Sequence, residues 1–322
     1  MSAEFRSGRS TPEPRGEVME IALVNNMPDQ ALAATQAQFE RLVRSGAGEL
    51  TFRLRFYALS SMPRSETARR HLARTHDDLS ALYARGADAL IVTGTEPRAA
   101  DLREEPYWPE FARLVDWARD HTISSLWSCL AAHVAVLRLD GIERRRSARK
   151  LSGVYRFAAR PSDWTMHGGS SSILVQHSRF NGLERAELER RGYVVASWSR
   201  AAGVDVFWRR EPSVFVFLQG HPEYDADMLA REYRRDVLRL LARERDAYPA
   251  TSHGCFLAMT IERLEQLKAR AMAGEGEGLD EMLDTALASE VLIAPWAEDA
   301  TRLYRNWLAL VVAGMAANRR IA

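Results

Sequence analysis

Cys129, His221 and Glu223 are the residues whose types and surroundings suit covalent catalysis. Cys129 follows an apolar run, Thr122 to Trp127 (TISSLW), and precedes a helix-like stretch, Leu130 to Leu139 (LAAHVAVLRL), which puts it at a sharp strand-to-helix turn. The thiolate is the reactive form of cysteine, and a helix N-terminus and a neighbouring imidazolium both favour it. The same elbow offers the backbone N–H of Leu130 as an oxyanion donor. Far downstream, another apolar run ends in Gln219-Gly220-His221-Pro222-Glu223-Tyr224-Asp225. Alternation along an extended segment would point His221 and Glu223 the same way, with Glu223 holding the imidazole in its tautomer. The layout is that of a cysteine nucleophile with its base and orienting carboxylate. It says more about chemistry than about substrate.

These residues need elements to position them. Met19 to Val24 reads as a strand ending at Asn25-Asn26-Met27-Pro28, followed by a helix from about Asp29 to Val43. Leu50 to Tyr57 alternates as a strand, Glu66 to Ala84 reads as a helix broken near Thr75, and Ala87 to Thr93 is an apolar strand. An amphipathic helix over Pro106 to His121 leads into the Cys129 strand. Such alternation predicts an α/β fold: a doubly wound, mainly parallel sheet with helices on both faces. Cys129, the Thr93-Gly94-Thr95 turn, Asn25-Asn26 and His221 should converge on the rim formed by the strands' carboxyl ends. Leu130 and Thr95 are the expected oxyanion residues. Gly141 to Ala201 lacks a regular pattern and is expected to carry insertions that shape the pocket. Val204 to Leu218 reads as a hairpin broken near Glu211-Pro212, and Asp225 to Arg245 as a charged helix. Residues 1–18 read as a disordered tail, 19–248 as the α/β domain, and 249–322 as a C-terminal helical extension packing on it. Within the extension, helices are expected over Cys255 to Met272, Leu279 to Ser289 and Ala300 to Ala317.

With 322 residues, 46% hydrophobic and 27% charged, the chain has the composition of a soluble globular protein. A formal charge of +1 gives no electrostatic case for nucleic acid or membrane surfaces. The two cysteines, Cys129 and Cys255, have no metal-ligand spacing, so neither a structural metal nor a disulfide is expected. No apolar stretch reaches membrane-spanning length, and a cytoplasmic location is the expectation. His167-Gly168-Gly169 lacks a G-x-S-x-G partner and reads as a turn. Cys255, after Ser252-His253-Gly254, reads as structural.

A cysteine followed at long range by Gly-His-Pro-Glu resembles the class I glutamine amidotransferase-like superfamily. Within it, the blocks Asn25-Asn26-Met27-Pro28, Ala89-Leu90-Ile91-Val92-Thr93-Gly94, Tyr107-Trp108-Pro109, Lys150-Leu151-Ser152-Gly153-Val154-Tyr155, His177-Ser178-Arg179-Phe180 and Gly220-His221-Pro222-Glu223-Tyr224-Asp225 resemble the homoserine O-succinyltransferases and O-acetyltransferases. The resemblance runs from about Ile21 to Leu238. It implies ping-pong transfer from an acyl-CoA co-substrate, with no bound cofactor, through an acyl-Cys129 to the hydroxyl of homoserine, with His221 as acid and then base. It also implies substrate contacts from Lys150, Ser178 and Arg235, the last through bidentate bonds to the acceptor's carboxylate. The expected partners are small molecules, and the expected assembly is a homodimer.

Departures from the family pattern are local. The elbow reads Cys129-Leu130-Ala131-Ala132-His133 where the family has Cys-Trp-Gly-Ala-Gln, and His133 reads as a satisfied helix histidine. Arg98 stands at the position associated with succinyl or acetyl choice, where the family carries Gly or Glu, and its charge suits the distal carboxylate of a succinyl group. The segment from Cys255 to Ser289 also departs. The changed pocket leaves serine or another hydroxy amino acid open as acceptor. A glutamine amidotransferase is a second reading, opposed by Ala131 and by the KLSGVY and HSRF blocks. An idle binding protein is a third, opposed by the intact Cys129, His221 and Glu223.

Overall fold

The computed structural model describes residues 18–210, 212–275, 277–290 and 293–321, so all of the expected tail over 1–18 except Val18 lies outside the described residues. In chain order the elements are β1 (Met19–Val24), α1 (Leu32–Ala47), β2 (Phe52–Tyr57), α2 (Glu66–Thr75), α3 (Leu79–Arg85), β3 (Ala89–Val92), α4 (Trp108–His121), β4 (Ser124–Ser128) and α5 (Leu130–Asp140). Then follow β5 (Arg145–Ala159), β6 (Ser172–Gly182), α6 (Arg185–Arg190), β7 (Val194–Val195), β8 (Ser197–Ser199), β9 (Gly203–Val204), β10 (Val206–Arg210) and β11 (Val214–Leu218). The chain closes with α7 (Met228–Leu241), α8 (Ala258–Met272), α9 (Leu279–Ala288) and α10 (Ala297–Ile321).

The main sheet has the order β2-β1-β3-β4-β11-β10-β7. It is parallel from β2 to β11, and antiparallel β10 and β7 complete one edge. β3 and β11 are continuous apolar runs, and β4, with three serines among its five residues, is buried throughout as well, because helices cover both faces. Alternation then divides them. Val24, Leu90, Val92, Trp127 and Phe217 pack with α4 and α5, whereas Leu23, Ile91, Leu126 and Val216 pack with α1 and α10. The terminal helix therefore forms part of the principal core. α8 and α9 build a separate small core against α7 through Tyr233, Phe256, Leu264 and Leu283.

The region from Gly141 to Ala201 is more regular than its sequence suggests. β5 and β6 form a long antiparallel hairpin, and the second sheet runs β6-β5-β8-β9. The exposed run Arg145 to Arg149 hides this in the sequence, since both of its faces are polar where the strand leaves the body of the fold. Gly153 marks a close approach in the hairpin. Its φ is 140°, and a Cβ there would stand 2.2 Å from the carbonyl oxygen of His253. The backbone of His253 instead bonds across it, donating to Ser152 O at 2.9 Å and accepting from Val154 N at 2.7 Å. The chain preceding α8 is thereby tied to the hairpin.

Candidate active site

The register of the parallel strands aligns their carboxyl ends. Val24 pairs with Val92, Val92 with Trp127, and Ser128 with Leu218. Cys129 follows β4 with φ 52° and ψ −114°, a positive-φ conformation strained for a residue with a side chain. Its N–H donates to Leu218 O at 2.7 Å, so the elbow is locked to the strand that delivers His221. α5 begins at the next residue and directs its N-terminal dipole at the thiol. Gly94 lies against this turn, and a Cβ there would stand 2.8 Å from Leu130 N. The Thr93-Gly94-Thr95 turn and the Leu130 amide thus share one corner beside Cys129. Thr93 is fixed in turn by Asn26, whose N–H donates to Thr93 Oγ1 at 2.8 Å and whose Nδ2 donates to Thr93 O at 3.1 Å.

His221 is buried and donates from Nδ1 to Glu223 Oε1 at 2.8 Å. The segment is not the extended one expected from alternation. β11 ends at Leu218 and the chain turns, with Tyr224 N donating to His221 O at 3.3 Å, and the turn itself brings the two side chains together. Burial alone would lower the His221 pKa. Attraction to Glu223 and Cys129, with side-chain hydrogen bonds to both, outweighs burial and raises it well above the usual histidine value. Cys129 and Glu223 therefore flank one imidazole held in its charged form.

The polypeptide around His221 is fixed by buried polar groups. Asp205 accepts from Gly220 N at 2.8 Å, and burial pushes its carboxyl up to about 6. His133 donates to Gln219 Oε1 at 3.1 Å, while Gln219 Nε2 donates to Val204 O at 2.7 Å. Burial drives the His133 pKa down to about 3, which keeps it neutral. Arg179 is buried, donates to His177 Nδ1 at 3.2 Å, and lies within the charge influence of Cys129. His167 ends a short turn, closed by Gly169 N donating to Met166 O at 3.1 Å.

Lys150, on β5, lies 3.1 Å from Glu232 Oε2 and 3.3 Å from Asp236 Oδ2. Ser178, the residue paired with Ser152 across the hairpin, donates to Glu232. Tyr224 donates to Glu232 Oε1 at 2.7 Å, and its ring stacks on His221 with centroids 4.3 Å apart. Burial works against ionisation of Glu232, but Lys150, Ser178 and Tyr224 hold its carboxyl below the usual range. Arg235, one turn on, donates to Asp236 Oδ1 from Nε at 3.1 Å and from Nη2 at 2.9 Å and is half exposed. Lys150, Ser178 and Arg235 thus meet around two carboxylates on α7. Glu232 is the member that the sequence reading missed. In the charged run Arg231-Glu232-Tyr233-Arg234-Arg235 nothing sets it apart; only its spacing on the Tyr224 side of the helix could have.

Arg98 lies elsewhere, on the loop between β3 and α4. The backbone N–H groups of Arg98 and Ala99 donate to Glu105 Oε1 at 2.5 and 2.6 Å, while the Arg98 side chain is exposed. Thr95 and Arg98 line one groove of about 530 Å³. Among the described residues, no group of three or more His, Cys, Asp or Glu side chains is arranged to hold a metal ion, and no helix is long and apolar enough to cross a membrane.

The sheet and the elbow define an α/β protein with a positive-φ cysteine at the carboxyl ends of its strands. A family model described as HTS: Homoserine O-succinyltransferase matches residues 7–317, and the chain belongs to the homoserine O-succinyltransferase family, a family of acyltransferases. The match reaches well past the Ile21 to Leu238 span of the sequence resemblance and takes in α8, α9 and most of α10. The chain is 44% identical to the homoserine O-succinyltransferase of Methylorubrum extorquens over 94% of this chain and 90% of that protein. It is 46% identical to that of Rhodopseudomonas palustris, over 90% and 87% respectively. Among solved structures, a glutamine amidotransferase from Methylobacillus flagellatus is similar with a TM-score of 0.48 and 14% identity, covering 91% of this chain and 95% of that one.

Proposed function

We propose that the chain transfers a succinyl group from CoA to the hydroxyl of homoserine through an acyl-Cys129 intermediate. The observation that carries the reading is the elbow cysteine beside an imidazole that Glu223 keeps charged. The Cys129 sulfur attacks the thioester carbonyl, and the resulting oxyanion is received by the amides of Leu130 and Thr95. Collapse breaks the carbon–sulfur bond to CoA, and His221 protonates the departing thiolate. Neutral His221 then takes the proton of the acceptor hydroxyl as its oxygen attacks the acyl carbon. Expulsion of the Cys129 thiolate releases the O-acyl amino acid and restores the starting ion pair. Arg235, on giving up the bonds of its Nε and Nη2 to Asp236, is suited to the acceptor's carboxylate, and Glu232, with Lys150 and Ser178, to its amino end. Arg98 is suited to the acyl carboxylate. The printed names of the relatives support succinyl as the acyl group and homoserine as the acceptor. O-Acylhomoserine is an activated precursor for displacement by sulfur, which fits methionine biosynthesis in a soluble homodimeric enzyme.

Initial-rate kinetics with homoserine and serine as acceptors, and succinyl- and acetyl-CoA as donors, test this reading. Parallel double-reciprocal lines with succinyl-CoA and homoserine are expected. Intersecting lines, or preferred use of serine or acetyl-CoA, would contradict it.

A further inference from the structure

The Arg64 side chain is almost entirely enclosed, with 4% of its area exposed. It is tethered at one end only: Nη1 bonds to Met27 O and lies 3.2 Å from Asp29 Oδ1. Nε and Nη2 are buried and have no hydrogen-bond partner among the described residues. Leaving two charged N–H groups of a guanidinium unpaired is costly, and native structures rarely do so without a ligand or function to account for it. These two nitrogens form one edge of the guanidinium, the fork that meets both oxygens of a carboxylate.

Arg64 lines the same groove as Thr95 and Arg98. The groove starts beside the elbow, since Thr95 follows the glycine that packs on Leu130 N. Its carboxylates already have partners. Asp29 holds Arg64 and accepts from Ser65 N at 2.8 Å, Glu105 accepts the amides of Arg98 and Ala99, and Glu96 lies within the charge influence of Arg235. Glu104 is exposed. The Arg98 side chain has no ion-pair partner among the described residues. Two guanidinium groups, Arg64 with two buried N–H groups that lack partners and Arg98 with an exposed side chain, thus line one groove that also includes Thr95.

We propose that Arg64, assisted by Arg98 at the groove mouth, binds the distal carboxylate of a dicarboxylic acyl group while its thioester carbonyl sits at Cys129. This makes Arg64 a specificity-determining residue for the donor, and it rests on the reading of Cys129 as the acyl acceptor. A four-carbon diacid can bring one carbonyl to the elbow and its free carboxylate to the Arg64 fork. An acetyl group has nothing to offer that fork, so a buried charge would stay unpaired.

Calorimetric titration of succinyl-CoA and acetyl-CoA into the Cys129→Ser protein, with and without Arg64→Gln, tests the proposal without requiring turnover. Succinyl-CoA should bind more tightly than acetyl-CoA, and Arg64→Gln should cut that preference about 10-fold or more while acetyl-CoA affinity holds. Arg64→Lys should retain part of the preference. Equal binding of the two donors to Cys129→Ser, or a preference untouched by Arg64→Gln, would overturn the proposal. Loss of both donors in Arg64→Gln and Arg64→Lys alike would also overturn it, by assigning Arg64 to structure alone. If the wild type forms no acyl-cysteine although Arg64 still governs donor preference, the acyl-Cys129 reading fails and the carboxylate site stands.

Discussion

Tyr224 connects the two halves of the site: its ring lies 4.3 Å from that of His221 at 16°, and its hydroxyl donates to Glu232 at 2.7 Å. The imidazole and the polar cluster on α7 are thereby held in one fixed relation. On the proposed reading, a substrate hydroxyl presented by that cluster would meet the base without either element moving, which is the positional advantage that a transfer enzyme requires.

The roles of the two halves can be separated. Glu232→Gln should leave the rate of Cys129 acylation by succinyl-CoA nearly unchanged and slow discharge by homoserine about 10- to 100-fold, the range for losing a charged hydrogen bond. Rapid-quench measurement of each half-reaction checks this. An equal loss in both halves would show that Glu232 acts through Tyr224 on the base instead.

The tight contact at the elbow makes a steric prediction. Gly94→Ala places a methyl group 2.8 Å from Leu130 N, against backbone that cannot yield cheaply. The variant should lose about 1–3 kcal/mol of stability. It should also acylate more slowly than its remaining folded fraction accounts for, because the oxyanion corner is displaced. Denaturant melts paired with active-site titration measure both, and wild-type acylation per folded molecule would refute the assignment of that corner.

The two cysteines should differ sharply in reactivity. Burial pushes the Cys255 thiol up to about 12, with Glu290 adding to the effect. Cys129 instead faces a charged imidazole at a helix N-terminus. Brief iodoacetamide treatment near neutral pH should label Cys129 and spare Cys255, as read by peptide mass mapping. Labelling of Cys255 at a comparable rate would contradict the environments described.

Asp205 gives a pH signature of stability. Its folded pKa, about 6, exceeds the ordinary value of 3.8. Its protonated form therefore favours the folded state fully below about pH 4, and that contribution is lost as pH rises toward and through 6. Asp205→Asn should remove this slope, so that wild type loses up to about 3 kcal/mol relative to the variant between pH 4 and 7. Urea melts across that range test the sign; a wild type that gains stability relative to Asp205→Asn would reverse it.

Much of this was legible in the sequence, and the reasons are local. Cys129 announces itself because strand and helix patterns change within one residue of it, and His221-Pro222-Glu223 lies in a short contiguous segment. β3 and β11 read clearly because burial on both faces favours unbroken apolar runs. Other features depend on tertiary placement. The turn that pairs His221 with Glu223 looks extended in sequence, and β5 loses its strand signature where Arg145 to Arg149 project into solvent. Arg64 sits in a loop after Met62-Pro63 with no periodicity to mark it, and its enclosure arises from Asp29 and Met27, 35 and 37 residues away. Glu232 is one charge among several on α7, and only Lys150, Ser178 and Tyr224 converging from β5, β6 and the preceding turn single it out.

The most direct test of the central claim is intact-protein and peptide mass spectrometry after incubation with succinyl-CoA in the absence of acceptor. A succinyl adduct confined to Cys129, absent in Cys129→Ser and discharged by homoserine as O-succinylhomoserine appears, is the predicted result. Product formation by Cys129→Ser, or an adduct on another residue with Cys129 unmodified, would contradict it.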